Sequence, residues 1–212
     1  MREEHQVASM DDWSPRILGI GGTTRAGSTS QRALHDALEH ANRLGAATEM
    51  LTADELEFPT YAPERGAVDL RAAHMLELVA KCDGLVISTP GFHGGPSGLI
   101  KNAIDYIEEL RADERPYLDG RAVGCIVCAA GWQATTTTLV TIRSTVHALR
   151  GWPTPLGVTI NSACGASSSP DPVDHAASGL ELLATQVVDF ARWRHAALAG
   201  QDPVAAAAGG TP

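Results

Sequence analysis

Ile17-Leu-Gly-Ile-Gly-Gly-Thr-Thr-Arg-Ala-Gly-Ser-Thr-Ser30 decides the fold. It opens as a short apolar run ending in glycines, the pattern of a strand buried on both faces of a parallel sheet. From Ser28 to Leu44 the residues Leu34, Ala37, Leu38, Ala41 and Leu44 recur at helical spacing, and Gly45 ends that helix. The stretch is a strand, a glycine loop and a helix in succession.

The same unit repeats along the chain. Further strands are predicted at 47–51, 84–89, 121–130 and 156–160, and further helices at 67–81, 98–110, 135–149 and 173–198. Strand three is expected to break at Pro90. Five strands alternating with helices give right-handed crossovers and a parallel α/β sheet covered on both faces. In such sheets ligands bind beyond the carboxyl ends of the strands, so the loops after strands one, three and four are where chemistry is expected. Residues 1–15 are polar and aperiodic and are expected to form a flexible segment. Residues 200–212 read as a disordered Ala/Gly-rich tail, leaving a single domain over 16–199.

Length and composition narrow the class. A chain of 212 residues fits one domain that needs no disulfide staples. Lys and Arg number 16 against 25 Asp and Glu, a formal net charge of −9. Without a basic cluster to displace phosphate counterions, nucleic-acid binding is excluded. No run approaches the roughly 18 apolar residues of a membrane span, and the acidic start is unlike a signal peptide. A cytoplasmic location is expected. Cys125 and Cys128 form a C-x-x-C, but inside a strand residues three apart point to opposite faces. They are expected to be buried small hydrophobes.

The first loop offers Thr23, Thr24, Ser28, Thr29 and Ser30, one cation at Arg25, and a helix N-terminus. Free backbone N–H groups, the positive end of the helix dipole and a guanidinium together suit a terminal phosphate. The plainer alternative is a helix cap with surplus hydroxyls. There is no G-x-x-x-x-G-K-[ST], so this is not a nucleoside-triphosphate loop. After strand three comes Thr89-Pro-Gly-Phe-His-Gly-Gly-Pro-Ser-Gly-Leu-Ile-Lys-Asn-Ala-Ile-Asp105. Its glycines bare backbone groups around one aromatic, Phe92, an arrangement for gripping a flat ring with polar edges. The third loop, Ala129 to Ala134, adds Gly131, Trp132 and Gln133.

These motifs resemble the NAD(P)H-dependent FMN reductase family of flavodoxin-like proteins. Its first loop, Gly-Ser-x-Arg-x-x-Ser-x-Asn, is matched by Gly22, Thr23, Arg25, Ser28 and Ser30. Its second, Thr-Pro-Glu-Tyr-Asn-Gly-Ser-x-x-Gly-x-Leu-Lys-Asn-Ala-Ile-Asp, is matched by Thr89, Pro90, Gly94, Gly98 and Lys101 to Asp105, while Gly91-Phe92-His93 replaces Glu-Tyr-Asn. The third motif leads into a helix carrying a Leu…Arg pair, here Leu139 and Arg143. The resemblance spans about residues 16 to 160.

It implies a flavodoxin-like sheet of order 2-1-3-4-5 and an oxidoreductase moving hydride from NADPH or NADH to FMN and on to a second acceptor, a flavin or a quinone-like compound. A tightly FMN-bound quinone or azo reductase and an electron carrier without nicotinamide activity stand as alternatives. Thr23, Arg25, Ser28 and Ser30 would take the phosphate. Pro90, Gly91, Phe92, His93 and Gly94 would line one edge of the ring, with Gly131, Trp132 and Gln133 at the other side. Backbone N–H groups would stabilise charge on the ring, and no catalytic side chain is expected because the flavin carries the chemistry. His93 reads as a loop residue replacing Asn, with proton shuttling the other option. The remaining histidines have no metal-ligand spacing, and no metal is expected. The resemblance also implies a homodimer or homotetramer, with Ile100, Ala103, Ile104 and Ile107 offering either a pairing face or core.

Overall fold

The computed structural model describes residues 13–66, 68–163 and 171–200. Cys164 and the expectations for residues 1–12 and 201–212 lie outside them. The elements are β1 (Arg16–Gly21), α1 (Thr29–Arg43), β2 (Ala47–Leu51), α2 (Ala53–Leu56), α3 (Leu70–Lys81), β3 (Gly84–Phe92), β4 (Gly95–Pro96), α4 (Gly98–Tyr106), β5 (Ala122–Ala129), α5 (Trp132–Ala148), β6 (Trp152–Pro153), β7 (Val158–Asn161) and α6 (Pro172–Ala199).

The parallel order β2-β1-β3-β5 is completed by an edge position split between two short strands. β6 pairs with Ala122 and Val123 at the start of β5, and β7 pairs with Ile126 to Ala129 at its end. Taking them as one position gives the expected 2-1-3-4-5. Two features depart from the sequence reading. The edge strand is interrupted at Thr154, whose N–H still reaches Val123 O at 3.0 Å. And β3 does not break at Pro90: it runs on to Phe92 with Pro90 opposite Cys128. β1 stops pairing at Ser88, so at Pro90 the strand has become an edge on that side, where a proline is tolerated.

Strand alternation divides the core into two layers. Val123, Cys125 and Val127 face α3, α4 and α5, while Ile126 and Cys128 face α1 and α6. The two cysteines thus lie on opposite faces as their spacing requires, and burial pushes both thiols up to about 12. Each fully buried Leu or Ile in these layers contributes roughly 1.5–3 kcal/mol. The stripe Ile100, Ala103, Ile104, Ile107 is wholly inside the first layer. It is core of this chain, so these four residues are not a pairing face.

Pinning contacts account for the motif residues that lie away from the loops. Asn102 accepts from Tyr61 N–H at 2.8 Å and donates to Phe58 O and Pro59 O, fixing the segment that precedes α3. Lys101 pairs with Asp105 one turn on, at 2.6 Å. Arg143 donates to Thr154 O at 2.6 Å, and Leu139 packs where β7 is entered at Gly157. Trp13, in the segment expected to be flexible, stacks on His195 of α6 with ring centroids 3.8 Å apart.

Arg121, expected inside strand four, sits just ahead of β5 and is fully buried. Its guanidinium donates to Cys82 O, Tyr117 O, Asp119 O and Ala80 O, at 3.2, 3.2, 3.4 and 2.6 Å. Two of those carbonyls close α3, so the cation also complements the negative end of that helix. Burial lowers its pKa.

Candidate functional site

The first loop is tied down by its own hydroxyls. Thr23 Oγ1 accepts from Arg25 N–H at 3.1 Å and donates to Arg25 O. Ser28 caps α1, accepting from Gln31 N–H, while Gln31 Oε1 accepts from Gly27 N–H at 2.8 Å. This reciprocal pair fixes where the helix starts. Ser28 and Ser30 are buried with their Oγ atoms 3.3 Å apart, and Ser88 Oγ donates to Ser30 O at 2.8 Å, joining the loop to β3. The N–H groups of Thr29 and Ser30 have no acceptor within the helix. Arg25 is exposed, and no ion pair or hydrogen bond engages its guanidinium among the described residues. Arg32, by contrast, is committed to Asp171 at 2.7 Å.

The second loop is a β-hairpin. Gly91 pairs with Pro96 and Phe92 with Gly95, and the two residues between them, His93 and Gly94, have φ of 55° and 85°. Positive φ at both central positions is a type I′ turn. His93 stands where the family has Asn, and both residue types are among those that tolerate this conformation. The histidine is an exposed turn residue. At the base of the hairpin Thr89 Oγ1 accepts from Ser97 N–H at 3.0 Å, and Ser97 caps α4. Gly91 lies so close to α5 that an added Cβ would meet Thr138 Oγ1 at 2.9 Å.

α5 begins at Trp132, earlier than the spacing predicts, so Trp132 and Gln133 are on the helix's first turn instead of a loop. The N-cap is Gly131, which supplies no side-chain cap. Its φ of 174° is ordinary extended backbone, and an added Cβ would meet nothing within 4 Å. Trp132 and Phe92 are each 58% exposed.

A cleft of about 420 Å³ lies between these loops. It is lined by the predicted Thr23, Arg25, Ser28, Ser30, Pro90, Gly91 and Phe92. Thr29, Cys128, Ala129, Ala130 and Ser162 complete its wall; Thr29 is one of the first loop's hydroxyls and Ala129 and Ala130 belong to the third loop, while Cys128 and Ser162 were not expected there. The signal for Ser162 was only topological, since it follows the last strand at the carboxyl edge. His93 and Gly94, at the tip of the hairpin, are not in the wall. Gly131, Trp132 and Gln133 adjoin it through Ala130 without lining it.

An α/β sandwich of this strand order, with a hydroxyl-rich loop opening α1 at the carboxyl edge, defines a flavodoxin-like domain with a cleft at that edge. The sequence profile of the NADPH-dependent FMN reductase family matches residues 15–164, and the chain belongs to that family. It is 29% identical over 133 residues to an NAD(P)H-dependent FMN reductase of Pseudomonas aeruginosa, covering 62% of this chain and 69% of that one. It is 38% identical over 61 residues to an NADPH azoreductase of Bacillus sp. (strain OY1-2), covering 28% of this chain and about a third (34%) of that protein. The flavoenzyme NAD(P)H:(acceptor) oxidoreductase FerB of Paracoccus denitrificans superposes with a TM-score of 0.66 at 15% identity, over 85% of this chain and 98% of that one. That likeness establishes the shared fold.

Proposed function

We propose that the protein is an NAD(P)H-dependent flavin oxidoreductase whose cleft holds FMN. The observation that carries the proposal is the donor set of the first loop: two buried hydroxyls, two N–H groups of α1 without a helical acceptor and an Arg25 guanidinium that no other described residue engages line one cleft. A phosphate dianion has the oxygens to use all of them. Family membership supplies the rest of the ligand. The chemistry supplied by bound FMN is acceptance of hydride from a nicotinamide and its transfer to a second acceptor.

The residues of this chain bind and orient. Thr23, Arg25, Ser28 and Ser30 hold the phosphate. Pro90, Gly91 and Phe92 form the wall beside the ring. The first turn of α5, which has no side-chain cap, would offer its N–H groups to negative charge on the ring. At Gly131 the protein's own packing demands no glycine, and the open space before it is room for a ring. His93 and Gly94 contribute by making the turn, and Gly131, Trp132 and Gln133 border the ring instead of enclosing it. No side chain of the cleft is required to act as acid, base or nucleophile.

The proposal extends to a single domain over 16–199, a cytoplasmic location, and a homodimer or homotetramer. Among the described residues no helix is long and apolar enough to cross a membrane. With the α4 stripe buried, pairing would fall to that helix's outer side around Leu99 and Lys101. Anaerobic titration of the FMN-loaded protein with NADPH and with NADH, followed by steady-state oxidation with added FMN, quinone or azo dye, tests the activity. Bleaching of the flavin absorbance and turnover with at least one acceptor are expected. A protein that binds FMN but is never reduced by either nicotinamide would instead be an electron carrier.

A further inference from the structure

The threonine run of α5 is not explained by anything above. Thr135 to Thr138 and Thr141 are poor choices for a helix interior, because β-branching and hydroxyls both lower helix propensity. Two of them reach out of the helix. Thr138, fully buried, donates to Gly95 O at 3.4 Å, and Thr141 donates to Gly94 O at 3.2 Å. The partners lie more than forty residues away in the chain, on the far limb of the hairpin turn. Thr141 has a second acceptor, Thr137 O, at 3.0 Å, and a hydroxyl has one proton to give. Its hydrogen bond can therefore belong to the helix or to the hairpin. Contact is close throughout: a Cβ on Gly94 would meet the Thr137 methyl at 3.1 Å, and one on Gly91 would meet Thr138 Oγ1.

We infer that Thr138 and Thr141 are positioning residues that latch the Phe92–Gly95 hairpin onto α5 and so set the gap in which the flavin ring lies. The inference rests on the FMN reading of the cleft. Its logic is geometric. The hairpin carries the Pro90–Phe92 wall of that gap and the first turn of α5 borders it through Ala130, so the register between them sets the width of the slot. Thr89 and Ser97 hold only the hairpin's base, and the two threonines hold its tip.

Thr138→Val and Thr141→Val keep the branched shape and delete the donors. Each lost hydroxyl is expected to weaken FMN binding roughly fivefold, the effect of one ordinary hydrogen bond. The first loop is untouched, so riboflavin should weaken by the same factor and the FMN-to-riboflavin ratio should hold. Thr→Ser at both positions should restore affinity, which a loss of packing alone would not allow. Hydrogen exchange at the hairpin amides reads the latch without any ligand, and faster exchange in the Val variants is expected. Unchanged exchange overturns the latch whether or not the wild type binds FMN. Faster exchange with unchanged flavin affinity overturns its role in the slot. A wild type that binds no flavin overturns the FMN reading itself, with the latch still readable by exchange. Thr141 is exposed, so its single variant is available if the buried Thr138 change prevents folding.

Discussion

Arg25 and Arg121 stand at opposite ends of the parallel strands, and every physical feature of the two is reversed. Arg25 follows β1 at the carboxyl edge, exposed, with its guanidinium engaged by nothing among the described residues. Arg121 precedes β5 at the amino edge, fully buried, with four backbone carbonyls around its guanidinium. A buried guanidinium that has spent its donors on backbone is a structural clamp, and one left free beside buried hydroxyls and a helix N-terminus is, on the function proposed, the group that would take an anion. The teaching is that the accounting of donors, more than charge or position in sequence, separates the cation that holds the fold from the cation that holds a ligand.

The largest effect should come from breaking the clamp. Arg121→Met removes the donor to Ala80 O and leaves Cys82 O only the 3.4 Å contact from Arg115, and a loss of about 3 kcal/mol or more is expected in urea unfolding. Arg121→Lys keeps the charge but not the fork and should recover less than half of that loss. Flavin affinity of the folded protein should stay put in both. Arg25→Gln should do the opposite: unfolding within about 0.5 kcal/mol of wild type, as for other surface changes, and FMN affinity down by at least tenfold in fluorescence titration. If Arg25→Gln destabilised the fold as Arg121→Met does, the contrast between the two would collapse.

Ser28→Ala tests a residue with both duties. It should cost about 1 kcal/mol as a lost helix cap, and it should also weaken FMN, because the same hydroxyl faces the cleft. The smallest effect belongs to Arg32, the cation that is exposed yet engaged. The Arg32 guanidinium beside Asp171 holds that carboxyl below its usual range. A depressed carboxyl contributes stability above its unfolded pKa and loses it as pH falls through the folded value. Arg32→Gln should therefore lower Tm slightly at pH 7 and leave no difference from wild type well below pH 4.

Much of the fold was legible because it rests on apolar periodicity. The runs at 17–20, 84–87 and 122–129 and the Leu34-to-Ala41 stripe are local patterns, and each became the expected element. The extension of β3 past Pro90 was not legible, since a proline forbids a strand only where both neighbours pair, and β1 ends first. The hairpin at His93-Gly94 left a faint signal, a residue tolerant of positive φ standing before glycine. The capping box at Thr52 and Glu55 also marked the start of α2 and could have been read. Of the candidate site, the first loop and the entry to the hairpin came from sequence and meet in one cleft. Ser162 and Thr138 did not, because what matters for them is a partner brought near only by the completed sheet. For the α4 stripe, periodicity showed a buried face and could not say that the chain itself buries it.

On the function proposed, the cleft recognises a phosphate-bearing flavin through the first loop. Comparing the dissociation constants of FMN and riboflavin for wild type and Arg25→Gln tests it most directly. Wild type should prefer FMN by about a hundredfold or more, and Arg25→Gln should shrink this preference at least tenfold while barely moving riboflavin. Equal affinity of wild type for the two flavins would contradict it.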